Sequence, residues 1–164
     1  MQKNNISLRL LSVNDNLEGL KVLQNILQDE TSNNESTFSC QMNEELYKKF
    51  LLYSELDKNK NSYCYRYWIL LDDTIIGYAD IKRPLKSNIK KRIGNIGMVL
   101  IKEYRNKGFG LITLKLLIEK AKNEFNMKKI LIVTGKDNIS MRKLCENTGF
   151  LLEDISDKCR YIHK

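Results

Sequence analysis

Arg105-Asn106-Lys107-Gly108-Phe109-Gly110 is the stretch on which the reading of this chain turns. It follows an apolar run, Ile96 to Ile101, that reads as a strand. It opens a segment, Gly108 to about Asn123, that reads as the strongest helix of the chain. There Leu114, Leu117, Ile118, Ala121 and Phe125 recur at helical spacing, while Lys115, Glu119 and Lys122 lie off that stripe. A strand feeding a helix through a glycine-containing turn points several backbone N–H groups outward, and with the helix dipole these favour a bound phosphate. Gly108 and Gly110 lack Cβ and allow a close approach, and Arg105 and Lys107 add positive charge. The plainer alternative is a glycine turn that only starts a helix. Two nucleotide motifs are excluded. No G-x-x-x-x-G-K-[ST] occurs, and a dinucleotide fingerprint fails because Thr113 stands where the third glycine belongs.

Around this stretch the chain reads as one mixed α/β domain with a central sheet. Ile6 to Leu11 alternates as a half-buried strand. Asp15 or Asn14 is expected to cap a first helix carrying Leu17, Leu20, Val22, Leu23, Ile26 and Leu27. Thr31 to Cys40 reads as a loop, and Asn43 to Leu56 as a second helix with Leu46, Phe50 and Leu51 on one side. Tyr65 to Leu71 and Thr74 to Lys82 flank Asp72-Asp73 as a hairpin. Ile130 to Val133 is a continuous apolar run, expected to be a strand buried on both faces. Asn138 can cap a helix with Met141, Leu144 and Cys145 on its apolar side, and Gly149 ends it. Leu151 to Ile155 and Cys159 to His163 read as two closing strands.

Composition narrows the function classes. The 164 residues suit one domain, with hydrophobic content of 42% and charged content of 29%. Net charge is +8, which fits either Lys-rich background composition or a polyanionic partner such as nucleic acid or a phosphorylated cofactor. The densest basic block is Lys82, Arg83, Lys86, Lys90, Lys91 and Arg92, read as a solvated loop. No aromatic-studded basic motif or recognition helix accompanies it, so no nucleic-acid partner is expected. No run approaches a membrane span and Met1 to Leu11 lacks a signal-like apolar stretch, so a cytoplasmic protein without a membrane partner is expected. Cys40, Cys64, Cys145 and Cys159 show no C-x-x-C spacing and His163 is the single histidine. Reduced thiols and no metal site are therefore expected.

Arg105 to Gly110 fits the R/Q-x-x-G-x-G/A pattern and resembles the pyrophosphate loop of the GNAT superfamily of N-acetyltransferases. The next unit resembles that family's second motif: Ile130 to Val133, then Asn138, then Glu146-Asn147-Thr148-Gly149-Phe150. The resemblance covers about Trp68 to Ile162. Tyr67-Trp68-Ile69-Leu70 with Gly77-Tyr78-Ala79-Asp80 is similar to a branch of small bacterial GNAT proteins. The resemblance implies a single GNAT acyltransferase domain over 1–164, with a mostly antiparallel, splayed sheet flanked by helices. Residues 1–62 would be the variable acceptor side and 63–164 the acetyl-CoA-binding core.

By the same resemblance, the pantetheine arm of acetyl-CoA would lie between Ile96–Ile101 and Lys129–Val133. Its amides would pair with the backbone around Met98, Val99 and Leu100, and an N–H near Val99 or Leu100 would face the thioester oxygen. Arg105, Asn106, Lys107, Gly108, Phe109 and Gly110 would form the pyrophosphate site, and Asn138 would touch the cofactor arm, cap the helix, or both. The reaction implied is attack by a primary amine, on a small molecule or peptide, upon the thioester. The family's frequent carboxylate at the start of the strand before the loop is missing here, where Gly94 and Asn95 stand. Asp80 is the substitute base, against the reading of a surface aspartate; Glu35, Glu44 and Glu45 are not selected by spacing. The family's frequent acid tyrosine falls at Cys145, which reads as acid or as a small core residue. A non-catalytic acyl-CoA-binding sensor on the same fold, and a homodimer, stay open.

Overall fold

The computed structural model describes residues 5–29, 41–59, 63–84 and 92–164. Glu35, Cys40, Lys86, Lys90 and Lys91 lie outside them. The elements follow in the order β1 (Ile6–Leu10), α1 (Leu17–Gln28), α2 (Glu44–Asn59), β2 (Cys64–Leu71), β3 (Thr74–Lys82), β4 (Ile93–Leu100), a 3-10 turn (Lys102–Tyr104), α3 (Phe109–Asn123), β5 (Lys129–Thr134), α4 (Ile139–Asn147), β6 (Leu151–Ile155) and β7 (Cys159–His163). One seven-stranded sheet runs β1-β2-β3-β4-β5-β7-β6. All neighbours are antiparallel except β4 and β5, which run parallel.

Each face of the sheet is covered because alternate strand residues are apolar in both directions. One face carries Tyr67, Ile76, Ala79, Ile96 and Ile130 against α3 and α4. Leu114, Leu117 and Ala121, the stripe legible in the sequence, are fully buried there; each such leucine contributes about 2 kcal/mol by leaving water. The other face carries Trp68, Ile75 and Tyr78 against α1 and α2.

The β2–β3 hairpin turns at Asp72, whose φ of 52° is left-handed, a conformation that aspartate tolerates. Asp72 also exchanges hydrogen bonds with Asn5, which ties β1 to the turn.

Four details differ from the sequence reading. Asn16, not Asp15 or Asn14, caps α1, accepting from the Glu18 N–H at 2.9 Å. Asp15 is instead the acceptor for the buried Trp68 indole N–H at 2.8 Å, and it pairs with Arg9. β4 starts at Ile93, three residues before the apolar run, because Gly94 and Asn95 continue its pairing with β5. β5 is buried on both faces at Ile130, Leu131 and Ile132, but Val133 is 51% exposed. Its exposed side opens into the site described next.

Candidate functional site

β4 and β5 pair only at Ile93–Lys129, Gly94–Ile130 and Asn95–Leu131. Beyond Asn95 each strand follows its other neighbour. β4 stays with β3 as far as Leu100–Gly77, and β5 stays with β7 as far as Thr134–Cys159. The sheet therefore splits, and a cleft of about 1290 Å³ fills the gap. Its walls are Asn95–Leu100 and Ile132–Gly135, and its upper rim is formed by the turns that enter α3 and α4. From Ile96 to Leu100 the cleft-side backbone of β4 has no partner strand among the described residues.

The turn into α3 is built by two left-handed residues, Asn106 at φ 59° and Gly108 at φ 83°. Alternating handedness folds successive N–H groups toward one side. No side chain caps this helix, whose first N–H groups lack intrahelical acceptors. A Cβ on Gly108 would meet nothing within 4 Å, so glycine is required here by the positive φ and not by crowding.

The hexapeptide divides by role. Arg105, Asn106, Gly108 and Gly110 line the cleft. Arg105 is not an open cation: its Nε donates to the Leu100 carbonyl at 2.8 Å and its guanidinium pairs with Asp29. It clamps the end of β4 to the end of α1. The Lys107 and Phe109 side chains turn away from the cleft. The Lys107 ammonium lies over the Tyr104 ring, 5.6 Å from its centre, and Phe109 packs into the core. Gly110 faces an apolar seam, because a Cβ there would come within 3.1 Å of Leu144.

On the sheet face turned toward α1 and α2, Tyr78, Asp80 and Lys82 line the same cleft from β3. Asp80 is 5% exposed and not the surface aspartate of the alternative reading. It lies opposite Gly97 on β4, and a Cβ on Gly97 would sit 3.2 Å from the Asp80 carboxylate oxygen. Glycine at 97 thus leaves room for the carboxylate to lie across the strand. Burial pushes the Asp80 carboxyl above the ordinary range, with Lys82 and then Arg66 pulling the other way. Burial also pushes the Tyr78 hydroxyl well above its usual range, with the Asp80 charge adding to it.

Met98, Val99, Leu100 and Asn138 also line the cleft. Asn138 caps α4, its Oδ1 accepting from the Met141 N–H at 3.0 Å. Cys145 is fully buried in the core and lies outside the cleft lining. Burial pushes its thiol up to about 12, with Glu146 adding to the shift. Cys145 is therefore not placed to protonate a group in the cleft. Glu44 and Glu45 are likewise not among the lining residues. Tyr78, Lys82 and Val133 were not singled out as site residues in the sequence. Period-two alternation from Asp80 would have found the first two.

A split parallel pair, an uncapped helix and a left-handed glycine turn meet in one cleft, and the comparisons with known proteins agree. The family profile described as "Acetyltransferase (GNAT) domain" matches residues 5–151. The chain belongs to the GNAT acetyltransferase family. As a member it is an acetyl-CoA-dependent acyltransferase. Solved structures share the GNAT fold at low identity. The Campylobacter jejuni N-acetyltransferase PseH, in complex with acetyl coenzyme A, is 19% identical, with a TM-score of 0.71 over 98% of this chain and 99% of that one. The PaiA N-acetyltransferase of Thermoplasma acidophilum, in complex with coenzyme A, is 20% identical, with a TM-score of 0.72 over 98% and 99%. A GNAT acetyltransferase of Streptococcus pneumoniae is 17% identical, with a TM-score of 0.71 over 97% and 98%. No curated protein sequence matches the chain. No helix among the described residues is long and apolar enough to cross a membrane.

Proposed function

We propose that this GNAT domain transfers the acetyl group of acetyl-CoA to a primary amine, with Asp80 as general base. The carrying observation is that the cleft-side edge of β4, unpartnered among the described residues, and the uncapped start of α3 border one cleft. That arrangement suits a ligand with amides at one end and a pyrophosphate at the other. Backbone groups at Met98, Val99 and Leu100 would pair with the arm, and a Val99 or Leu100 N–H would serve the thioester oxygen. N–H groups from Asn106 to Gly110 would hold the pyrophosphate, and Asn138 would flank the arm while capping α4.

When bound, acetyl-CoA supplies an electrophilic thioester carbonyl. Asp80 accepts the proton that the amine loses as its nitrogen bonds to the acetyl carbon. The C–S bond breaks with its electron pair on sulfur, and the thiolate takes up one proton from Asp80 or water. An alkylamine with a pKa near ~10.4 is almost wholly protonated at neutral pH, so Asp80 first relays that ammonium proton to water and then takes the one released on attack. A buried carboxylate with a raised pKa is a better acceptor for these protons than an exposed one. Ile26 of α1 lines the cleft and Asp29 anchors Arg105, which supports residues 1–62 as the acceptor side and 63–164 as the cofactor-binding core.

The test is a thermal-shift titration with acetyl-CoA, followed by thiol release with a library of primary amines. At 100 times its Kd the ligand should stabilise the fold by about 2.7 kcal/mol, and at least one amine should release thiol. A thermal shift with no thiol release for any amine would return the reading to an acyl-CoA-binding sensor.

A further inference from the structure

The geometry points to an acceptor amine that itself carries a carboxylate or phosphate a few bonds from the reacting nitrogen, held by Lys82. This rests on the acetyl-transfer reading with Asp80 as base. Lys82 lies two residues beyond Asp80 on the same strand face, half-buried, and lines the same cleft. Residues so spaced are about 7 Å apart along a strand. The Lys82 ammonium acts on Asp80 through space, but it has no ion pair or hydrogen bond of its own among the described residues.

Other charged lining residues, Lys102, Arg105, Asp137 and Lys143, belong to the turns and helix at the opposite end of β4 and β5. At the Asp80 end the lining charges among the described residues are Asp80 and Lys82, with Arg66 directly across from Asp80 on β2. Arg66 is engaged with the Tyr78 hydroxyl and lies over the Phe50 ring. Among the described residues, Lys82 is therefore the cation at this end left for a ligand.

Three acceptor chemistries meet this end differently. A polyamine would bring its second ammonium against Lys82, and one carboxylate cannot serve both of its charges. A neutral amine would leave a half-buried ammonium without a counter-ion at the moment Asp80 takes up a proton and loses its charge. An amine bearing an anion supplies that counter-ion when it is needed and fixes the nitrogen over Asp80 at the same time.

Kinetics on matched acceptors test the inference. The four-carbon series is γ-aminobutyrate, its carboxamide and putrescine; the phosphate pair is phosphoethanolamine and ethanolamine. Within at least one set, the anionic member should exceed the neutral one by about tenfold or more in kcat/KM, with putrescine lowest. Whichever set shows the larger ratio tells carboxylate from phosphate. Lys82→Gln should bring that ratio close to one, and Lys82→Arg should restore it. A neutral or cationic preference in the wild type, or a ratio unchanged in Lys82→Gln, overturns the inference. An acetyl-CoA thermal shift without transfer to any anionic amine also overturns it while leaving cofactor binding intact. Failure of acetyl-CoA to bind at all would instead remove the acetyl-transfer reading beneath it.

Discussion

The unit β4–turn–α3 and the unit β5–turn–α4 both run from strand to helix beside the same cleft, yet they treat their polar groups in opposite ways. In the first, the helix start lines the cleft through two left-handed residues and has no side-chain cap on its backbone donors. In the second, Asn138 uses its own side chain on the helix start, and Cys145 turns into the core. A helix that begins with glycine keeps its first donors for a ligand, whereas one that begins with asparagine has already used a donor on itself. The polar cluster of Tyr78, Asp80 and Lys82 stands behind the first unit. The binding energy and the chemistry should therefore fall on the β4 side.

The largest effect should come from Asp80→Asn. Near pH 7 turnover should fall about a hundredfold, and the loss should shrink near pH ~9.5, where more of the amine is already neutral. Equal losses at both pH values would reject Asp80 as base. The same variant should be more stable than the wild type at neutral pH. Burial raises the carboxyl in the folded state, so its contribution to stability is complete below the ordinary carboxylate range and is lost as pH rises through the raised value. Asparagine removes that cost, and thermal midpoints compared near pH 7 and below about pH 4 should converge at the lower pH.

Next in size is Asn106→Asp, which keeps a residue tolerant of the left-handed conformation and adds one negative charge at the proposed pyrophosphate site. Calorimetry should show acetyl-CoA affinity reduced by about tenfold or more. Unchanged affinity would place the phosphates elsewhere. Asn138→Ala should cost about 1 kcal/mol in denaturant unfolding through the lost cap, with a smaller loss of affinity than Asn106→Asp. The reverse order of affinities would dissolve the contrast between the two helix starts. Smallest of all, Cys145→Ala should keep turnover within about tenfold and lose about 1 kcal/mol of packing. A hundredfold loss in a variant that still folds and binds acetyl-CoA would bring the thiol back as a catalytic group.

Most of the architecture is local enough to read in one dimension. The α3 stripe, the Asp72-Asp73 turn and the glycine turn at 105–110 each depend on spacings of a few residues, and each stands where the spacing put it. What the chain hid depends on register. Nothing in the sequence places Gly97 opposite Asp80, so a surface aspartate stayed open beside the reading of Asp80 as base. Val133 read as core because an apolar run does not reveal that its neighbouring strand departs. Gly110 shows the same ambiguity for a glycine in a binding turn. It lines the cleft, and its missing side chain also makes room for the tip of Leu144. A Gly110→Asp change would press a carboxylate against that apolar tip as well as the cleft, so loss of binding there would not separate fold from phosphate site.

The two halves of the sheet are joined across β4 and β5 by three residue pairs. A ladder that short is a soft joint between two stiff plates. An extended ligand whose amides bonded to the cleft-side edge of β4 would supply rungs absent among the described residues. In the loaded protein the amides beyond Asn95 would exchange with solvent more slowly than in the empty one, and the joint would stiffen along its whole length. The substrate arm would then act as a removable splint, so that each turnover would loosen and reset the mechanical continuity of the domain.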